Sequence, residues 1–221
     1  MIIGITGFIG SGKDTIADYL VNVHQFRRES FASSLKDAVA DIFGWDRELL
    51  EGRTKHSREW REQVDSWWAD RLNMPHLTPR WVLQYWGTDV CRSVFHDDIW
   101  IASVENKLRN NLDNVVISDC RFPNEIAGIQ RIGGRVIKVS KGQDPDWYAH
   151  AKIVNQGPTY PGYDNALAVL EKYSVHRSET AWAGCCFDAE IDNSGTLDQL
   201  YDQINNLLQG LLASTASLDV V

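Results

Sequence analysis

The sequence has no apolar run near the roughly 20 residues that a membrane-spanning helix needs, and Met1 leads directly into a short apolar run. We therefore expect neither a transmembrane segment nor a signal peptide. Basic residues are also scarce, since 22 Lys and Arg stand against 30 Asp and Glu, for a formal net charge of −8. This balance argues against broad binding to nucleic acid or to an anionic membrane. An anionic ligand must therefore meet a local basic cluster.

Cysteine is rare, and Cys91, Cys120, Cys185 and Cys186 lack the spacing of a metal site. Adjacent cysteines make a poor disulfide pair, so we expect a reduced, cytoplasmic protein. The sequence also lacks internal repeats and low-complexity segments. Tryptophan, by contrast, occurs nine times. Because these rings bury large areas and most have no basic run nearby, we interpret them mainly as core residues, with base stacking on single strands as the alternative.

A glycine-rich loop follows the first apolar run. Residues 7–15 read Gly-Phe-Ile-Gly-Ser-Gly-Lys-Asp-Thr and lead into a helical pattern. A Gly-x-x-x-x-Gly-Lys loop between a strand and a helix binds phosphate, because its N–H groups converge and the helix adds its positive end. Lys13 is then expected to reach the β- and γ-phosphates of a nucleoside triphosphate. Asp14 stands where Ser or Thr usually binds Mg²⁺, and Thr15 follows it. The alternative for the whole loop is a glycine-rich turn that binds nothing.

Strand and helix patterns alternate along the chain. Strands are predicted at residues 1–6, 27–32, 114–118, 135–139 and 187–191, and helices at 14–24, 35–43, most of 51–108 with a break near 73–79, 123–132 and 196–212. This order predicts an α/β protein with a parallel sheet and helices on both faces. Ligands of such sheets bind at the carboxyl ends of the strands. We therefore expect Lys13, Asp119 and Arg121 along one edge of the sheet.

The residues after the predicted strand 114–118 are candidates for phosphate chemistry. Asp119 closes an apolar strand, a position at which P-loop proteins often keep an acid that holds Mg²⁺ or its water. Arg121, two residues later, is placed to meet a transferring phosphoryl group. The alternatives are a turn-capping role for Asp119 and an ion pair of Arg121 with Asp119 or Glu125.

A polar stripe marks the helix predicted near residue 80. Arg80, Gln84 and Thr88 recur at four-residue steps, while their neighbours are mostly apolar. A narrow polar stripe on an otherwise buried helix predicts that it lines a polar cavity. The arginine fork suits phosphate, and the amide suits a base or sugar edge. A solvent-facing stripe is the alternative.

Residues 141–180 have weak periodicity and several prolines and glycines. A long insertion of this kind is typical of a lid or of a disordered segment. Residues 176–179 could begin its return helix, with Arg177 directed at phosphates, although a solvated arginine is the alternative.

Several motifs occur in order along the chain. They are Gly12-Lys13-Asp14-Thr15, Ser30-Phe31-Ala32 followed by Leu35-Lys36-Asp37-Ala38, Arg80-x-x-x-Gln84-x-x-Gly87-Thr88-Asp89, Trp100, Asp119-x-Arg121 and His176-x-Ser178-Glu179. Together they resemble the deoxynucleoside monophosphate kinases of tailed bacteriophages, within the P-loop nucleoside monophosphate kinase superfamily. The resemblance covers most of residues 1–212 but not 46–73 or 143–173, so it leaves the accepted nucleobase open.

The resemblance implies a three-layer P-loop kinase fold and transfer of the ATP γ-phosphoryl to a deoxynucleoside monophosphate (dNMP), with Mg²⁺. The residues that it implies for ATP are Gly10, Ser11, Gly12, Lys13, Asp14, Thr15, Asn193 and Gly195, the last two at the adenine. Those implied near Mg²⁺ are Asp14, Thr15 and Asp119. A homodimer is also an expectation from the resemblance.

On the acceptor side, the resemblance implies that Arg80, Arg121 and Arg177 clamp the phosphate and the moving phosphoryl group. The other acceptor residues that it implies are Lys36, Gln84, Gly87, Thr88, Arg92, Trp100, Asp119 and Glu179. We expect one domain over residues 1–213, with an acceptor-binding helical region near 33–110, a lid near 141–180 and a flexible tail at 214–221. Two alternatives stay open: another small-molecule P-loop kinase, of the dephospho-coenzyme A or phosphomevalonate type, and a non-catalytic nucleotide-dependent switch.

Overall fold

The computed structural model describes residues 1–109, 113–175 and 177–216. The chain forms two compact units. The sheet unit comprises Met1–Glu29 and Arg109–Val221, and the helical unit comprises Ser30–Leu108. The helical unit nearly matches the region of residues 33–110 that the sequence set apart.

All five strands begin within two residues of their predicted positions, but no helix was predicted at residues 148–154 or 163–173, so the agreement does not extend to all the described elements. In chain order they are β1 (Ile2–Gly7), α1 (Lys13–His24), β2 (Arg27–Glu29), α2 (Ser33–Phe43), α3 (Arg47–Glu51), α4 (Lys55–Arg61), α5 (Ser66–Leu72), α6 (Pro79–Gln84), a π-helix (Tyr85–Phe95), α7 (Ile99–Leu108), β3 (Val115–Ile117), α8 (Pro123–Arg131), β4 (Arg135–Ser140), α9 (Tyr148–Val154), α10 (Tyr163–Tyr173), α11 (Arg177–Thr180), β5 (Ala189–Asp192) and α12 (Leu197–Ala216). None of these helices combines the length and the apolar character needed to cross a bilayer.

The five strands form one parallel sheet in the order β2-β3-β1-β4-β5. The central strand β1 pairs with β3 at Gly4↔Ile117 and with β4 at Gly7↔Val139. Strand β2 is shorter than predicted, because the N–H of Ser33 donates to the carbonyl of Ser30 in the turn that starts α2. The predicted parallel α/β sheet is thereby confirmed.

An apolar core joins the sheet to α1 and α12. Its members on the helices recur at four-residue steps, and therefore lie on one face of each helix. The most completely buried are Ile3, Ile5, Ile16, Leu20, Val116, Ile137, Val139, Leu200 and Ile204. No glycine or proline follows Leu212, and α12 continues to Ala216. The predicted end of this helix at residue 212 is thus wrong. Of the predicted tail, residues 214–216 are helical, and residues 217–221 lie outside the described part of the chain.

The helical unit has a separate, tryptophan-rich core. It includes Leu35, Val39, Trp45, Leu50, Leu77 and Val82, with Trp60, Trp68, Trp81, Trp86 and Trp100 packed against it. Of the nine tryptophans, Trp67 alone is mainly exposed, which confirms that these rings are mostly core residues. The break predicted near residues 73–79 is present, but further breaks separate α3, α4 and α5. The side chains of Asp46, Thr54 and Asp65 cap these short helices and make the breaks stable.

Candidate active site

The loop between β1 and α1 has the backbone of a phosphate-binding loop. Gly7, Gly10 and Gly12 all have positive φ, at 147°, 79° and 100°. A Cβ at Gly12 would overlap the side-chain amide of Asn193, and one at Gly7 would overlap the carbonyl of Val139. Glycine is therefore required at both positions by the backbone angle and by the space. The hydroxyl of Ser11 is buried in this loop without a hydrogen-bond partner, as fits a loop that binds a ligand rich in oxygen atoms.

Lys13 opens α1 and turns back over the loop. Its ammonium group donates to the carbonyls of Gly7 and Phe8, each at 2.7 Å. Burial, and next the charge of Arg121, lower the pKa of Lys13, while Glu179 and Asp14 act in the opposite direction. Two cations thus lie close together at the carboxyl end of β1, where ligands of parallel sheets bind.

Arg121 is held by α11. Its guanidinium pairs with the carboxylate of Glu179 and donates to the hydroxyl of Ser178 at 3.2 Å. The predicted alternative partner, Glu125, instead accepts from the backbone N–H groups of Arg121 and Phe122 at 2.8 and 3.1 Å. Glu125 therefore shapes the turn after β3, and the Arg121 guanidinium pairs with α11 instead.

The other predicted residues of the sheet unit take different positions. Arg177 is the first residue of α11 and is exposed, and His176 lies outside the described residues. Asp119 is half-buried two residues after the end of β3. Burial, and next the charge of Asp119, raise the pKa of Cys120. The structure thus brings Lys13, Arg121 and Glu179 together, with Asp119 on the adjacent strand end.

Asp14 is bound by an arginine that the sequence did not single out. Arg28 lies 3.3 Å from the Asp14 carboxylate and 3.2 Å from that of Asp18. These contacts connect α1 to β2 and balance the charge of the unusual aspartate. No signal in the sequence links Arg28 to the loop, because the contact forms only when β2 joins the sheet.

Asn193 braces the loop. It follows β5, is buried, and donates its side-chain N–H to the carbonyl of Ser11 at 2.9 Å. The resemblance places Asn193 and Gly195 at an adenine, but in the structure the amide of Asn193 is directed at the loop backbone. Gly195 is exposed in the turn before α12.

The Mg²⁺ ion that the resemblance implies has only a partial set of protein ligands. Within the described residues, no group of three or more His, Cys, Asp or Glu side chains could hold a metal. Thr15 is half-buried in the first turn of α1, and Asp119 is half-buried after β3. This set fits Mg²⁺, which is usually bound through one or two side chains together with substrate phosphates and water.

The helical unit contains the predicted acceptor residues. Arg80, Gln84 and Thr88 are all exposed, whereas the polar stripe predicted that they line a cavity. The α-helical repeat ends at Gln84, and the following π-helix changes the spacing of side chains around the axis, so Thr88 no longer continues the stripe. Arg80 pairs with Glu62 at 3.1 Å.

Three further acceptor candidates have structural partners in the helical unit. Lys36 pairs with Glu51 at 2.8 Å. The indole N–H of Trp100 donates to the carbonyl of Gly87 at 2.9 Å, and Gly87 is itself buried against Leu35. Arg92 is half-buried in the π-helix.

A cavity of about 560 Å³ lies elsewhere in the sheet unit. It is lined by Met1, Phe26, Arg135 and Leu208, among others, at the amino ends of β1 and β4. Ligands of parallel α/β sheets bind at the opposite ends of the strands. We therefore place the candidate active site at the phosphate loop.

The parallel 2-3-1-4-5 sheet, the loop and its adjacent cations define the class as a P-loop phosphotransferase. A mimivirus protein (Acanthamoeba polyphaga mimivirus) named "Putative deoxynucleotide monophosphate kinase" is 34% identical over 218 residues, covering 92% of this chain and 94% of that protein. The chain belongs to the deoxynucleoside monophosphate kinase family. The deoxynucleoside-5′-monophosphate kinase of Escherichia phage T5 is 27% identical over 174 residues, covering 57% of this chain and 70% of its own. These relatives confirm the resemblance.

Similar solved structures include a shikimate kinase from Bacteroides thetaiotaomicron, which is 13% identical in sequence. The match covers 96% of this chain and 98% of that chain, with a TM-score of 0.38. TT1252 from Thermus thermophilus has 19% identity, with 96% and 97% covered and a TM-score of 0.43. No protein-family model matches the chain. The family assignment rests on the sequence relatives.

Proposed function

We propose that this protein transfers the γ-phosphoryl group of ATP to a deoxynucleoside monophosphate, giving ADP and the deoxynucleoside diphosphate. The observation that carries the proposal is the group formed by Lys13, Arg121 and Glu179 beside the phosphate loop. Phosphoryl transfer needs positioning and neutralisation of charge on the phosphate oxygens, and little covalent help from the protein. Two cations beside the N–H groups of the loop provide both the positioning and the neutralisation.

On the donor side, the loop from Gly10 to Gly12 and Lys13 bind the ATP phosphates. Mg²⁺ neutralises phosphate charge when bound, and Thr15 and Asp119 would hold it, with Asp14 nearby. Arg28 offsets the negative charge that Asp14 adds to the loop, which favours binding of a polyanion. The adenine is received near Gly195.

On the acceptor side, Arg80, Arg121 and Arg177 bind the acceptor phosphate and the phosphoryl group in transit. Arg121 exchanges its pairing with Glu179 for phosphate oxygens when the substrates bind. Gln84, Gly87, Thr88 and Trp100 line the deoxynucleoside pocket, and Lys36 and Arg92 support it. The hydrogen bonds of Lys36 and Trp100 favour a supporting role for these two residues.

The 141–180 segment acts as a lid that excludes water as a competing acceptor. Its support is an aromatic cluster that joins the segment to the phosphate loop. The ring of Phe8 contacts those of Trp147, Tyr148 and Trp182, at centroid distances of 5.5, 5.1 and 4.9 Å. These contacts connect the segment directly to the loop that binds the ATP phosphates. The homodimer remains part of the proposal through the family resemblance.

A coupled assay of ADP release tests the proposed reaction. The acceptors are dAMP, dGMP, dCMP, dTMP, the four ribonucleotides and dephospho-coenzyme A, each with ATP and Mg²⁺. We expect turnover on at least one deoxynucleotide well above its ribonucleotide. Turnover on dephospho-coenzyme A alone would favour the other kinase type, and nucleotide binding without turnover on any acceptor would favour the switch.

Replacing Asn193 by alanine is expected to raise the KM for ATP about 5- to 10-fold, with a smaller change in the KM for the dNMP. The variant loses the hydrogen bond that holds the Ser11 carbonyl, so the loop N–H groups are less well ordered for phosphate. Initial-rate kinetics with each substrate varied in turn measures this. Asn205→Ala, which changes an asparagine of α12 bonded to His24 and Tyr19, serves as the control. An unchanged KM for ATP would contradict the bracing role.

A further inference from the structure

Arg61, at the end of α4 in the helical unit, has an unusual environment. Its guanidinium lies flat against Gly52, where a Cβ would overlap it. Its Nη1 donates to the carbonyl of Leu50 at a long 3.4 Å, and its Nε is buried with no hydrogen-bond partner among the described residues. Burying a cationic N–H group without an acceptor is costly. The geometry therefore leaves this guanidinium with donors to spare for a ligand.

A second cation lies close to Arg61. Burial, and next the charge of Arg80, lower the pKa of Arg61. Two guanidinium groups near each other repel unless an anion lies between or beside them. The repulsion between the two guanidinium groups therefore destabilises the protein alone and favours binding of an anion.

The charges of Glu62 and Glu51 act to raise the pKa of Arg61, but both carboxylates pair with other cations. Burial alone would raise the pKa of Glu51, but its hydrogen bonds and ion pairs with Lys36 and Arg47 lower it to about 2. Glu62 pairs with Arg80 through side chains that are both about half exposed, so solvent weakens that contact. Among the described residues, no carboxylate lies within ion-pair distance of Arg61. In a chain of net charge −8, these two arginines form a second local basic cluster, besides that of Lys13 and Arg121.

We propose that Arg61 is a further binding residue for the acceptor, and that it holds the phosphate group of the deoxynucleoside monophosphate together with Arg80. The inference rests on the proposed function. A guanidinium presents two parallel N–H groups to phosphate oxygens, and the phosphate displaces Glu62 from Arg80. The resemblance to known kinases did not extend to residues 46–73, so Arg61 had no role from the sequence.

The test compares Arg61→Gln with Arg58→Gln. Arg58 lies one turn earlier on α4 and is exposed, and among the described residues it donates to the carbonyls of Gly52 and Arg53. Its charge acts on Arg61 less than that of Arg80. We expect Arg61→Gln to weaken binding of the best dNMP about 10- to 100-fold, measured by calorimetry without ATP. Inhibition by the corresponding deoxynucleoside, which lacks the phosphate, and the KM for ATP should change less than about 3-fold. Arg58→Gln should leave all three unchanged.

Equal weakening of the dNMP and the deoxynucleoside would overturn the proposal, because it would show that Arg61 only supports the helical unit. Unchanged binding of the dNMP would also overturn it. If Arg61→Gln does not fold, Arg61→Lys keeps the charge without the fork, and should weaken the dNMP several-fold more than the deoxynucleoside.

Failure of the proposed function gives a different result. In that case the wild type turns over no acceptor, and thermal stabilisation by inorganic pyrophosphate provides the readout. If Arg61→Gln and Arg80→Gln each reduce this stabilisation and Arg58→Gln does not, the proposed anion site is supported. Stabilisation independent of Arg61 would overturn it.

Discussion

Replacing Lys13 by alanine should lower kcat for phosphoryl transfer at least about 10²- to 10³-fold, since a preorganised charge beside the developing phosphate charge is lost. The fold should remain, because among the described residues the ammonium group donates to two loop carbonyls, and its burial is already unfavourable. Steady-state rates with saturating ATP and dNMP, together with a thermal melt, measure both effects.

Lys55→Ala is the matched control for this change. Lys55 is an exposed lysine at the start of α4 in the helical unit, and it pairs with Glu59 at 3.7 Å. It should keep wild-type kcat. A Lys13→Ala protein that keeps more than about a tenth of the wild-type rate would remove the lysine from the proposed mechanism.

Arg121→Ala is expected to lower kcat about 10³-fold or more, the range for an arginine that neutralises a transferring phosphoryl group. The KM for ATP should change much less, if Arg121 acts mainly in the transition state. Arg121→Lys should recover only part of the rate, because an ammonium lacks the planar fork. Single-turnover kinetics with preformed substrate complexes isolates the transfer step.

Arg135→Ala is a close control for Arg121→Ala. Arg135 pairs with Asp188 at 3.1 Å, and its exposure, 49%, is similar to the 40% of Arg121. It lies at the amino end of β4, opposite the phosphate loop. If Arg135→Ala lowers kcat as much as Arg121→Ala, loss of a surface ion pair explains both effects and the role of Arg121 fails.

The fold was largely predictable because its signals are local. The apolar runs of β1, β3 and β4 and the loop glycines determine strands and a turn over a few residues each. Pro123 starts α8 as predicted, and Pro79 takes the same first position in α6. The helical region was less predictable, since the short helices α3, α4 and α5 are separated by side-chain caps rather than by glycine or proline alone. The π-helix follows an α-helix without any break in the sequence pattern.

The site was predictable only in part. The role of Glu179 came from family resemblance, and only the structure shows its pairing with Arg121, 58 residues away. No sequence pattern indicated a role for Arg28 or Arg61, because arginine is common on protein surfaces and its role depends on the residues that lie beside it. The polar stripe from Arg80 was overinterpreted, since periodicity assumes one helix type throughout.

The sequence by itself determined the parallel α/β class, the phosphate loop and its lysine, because each depends on the order of residues within one strand-loop-helix unit. Only the tertiary structure decided that Asn193 braces Ser11 across 182 residues, that Arg28 balances Asp14, and that Arg61 lies near Arg80 with a buried, unpaired Nε. These contacts join segments that are distant along the chain. Side-chain burial and charge at such contacts arise from packing, which no local pattern encodes.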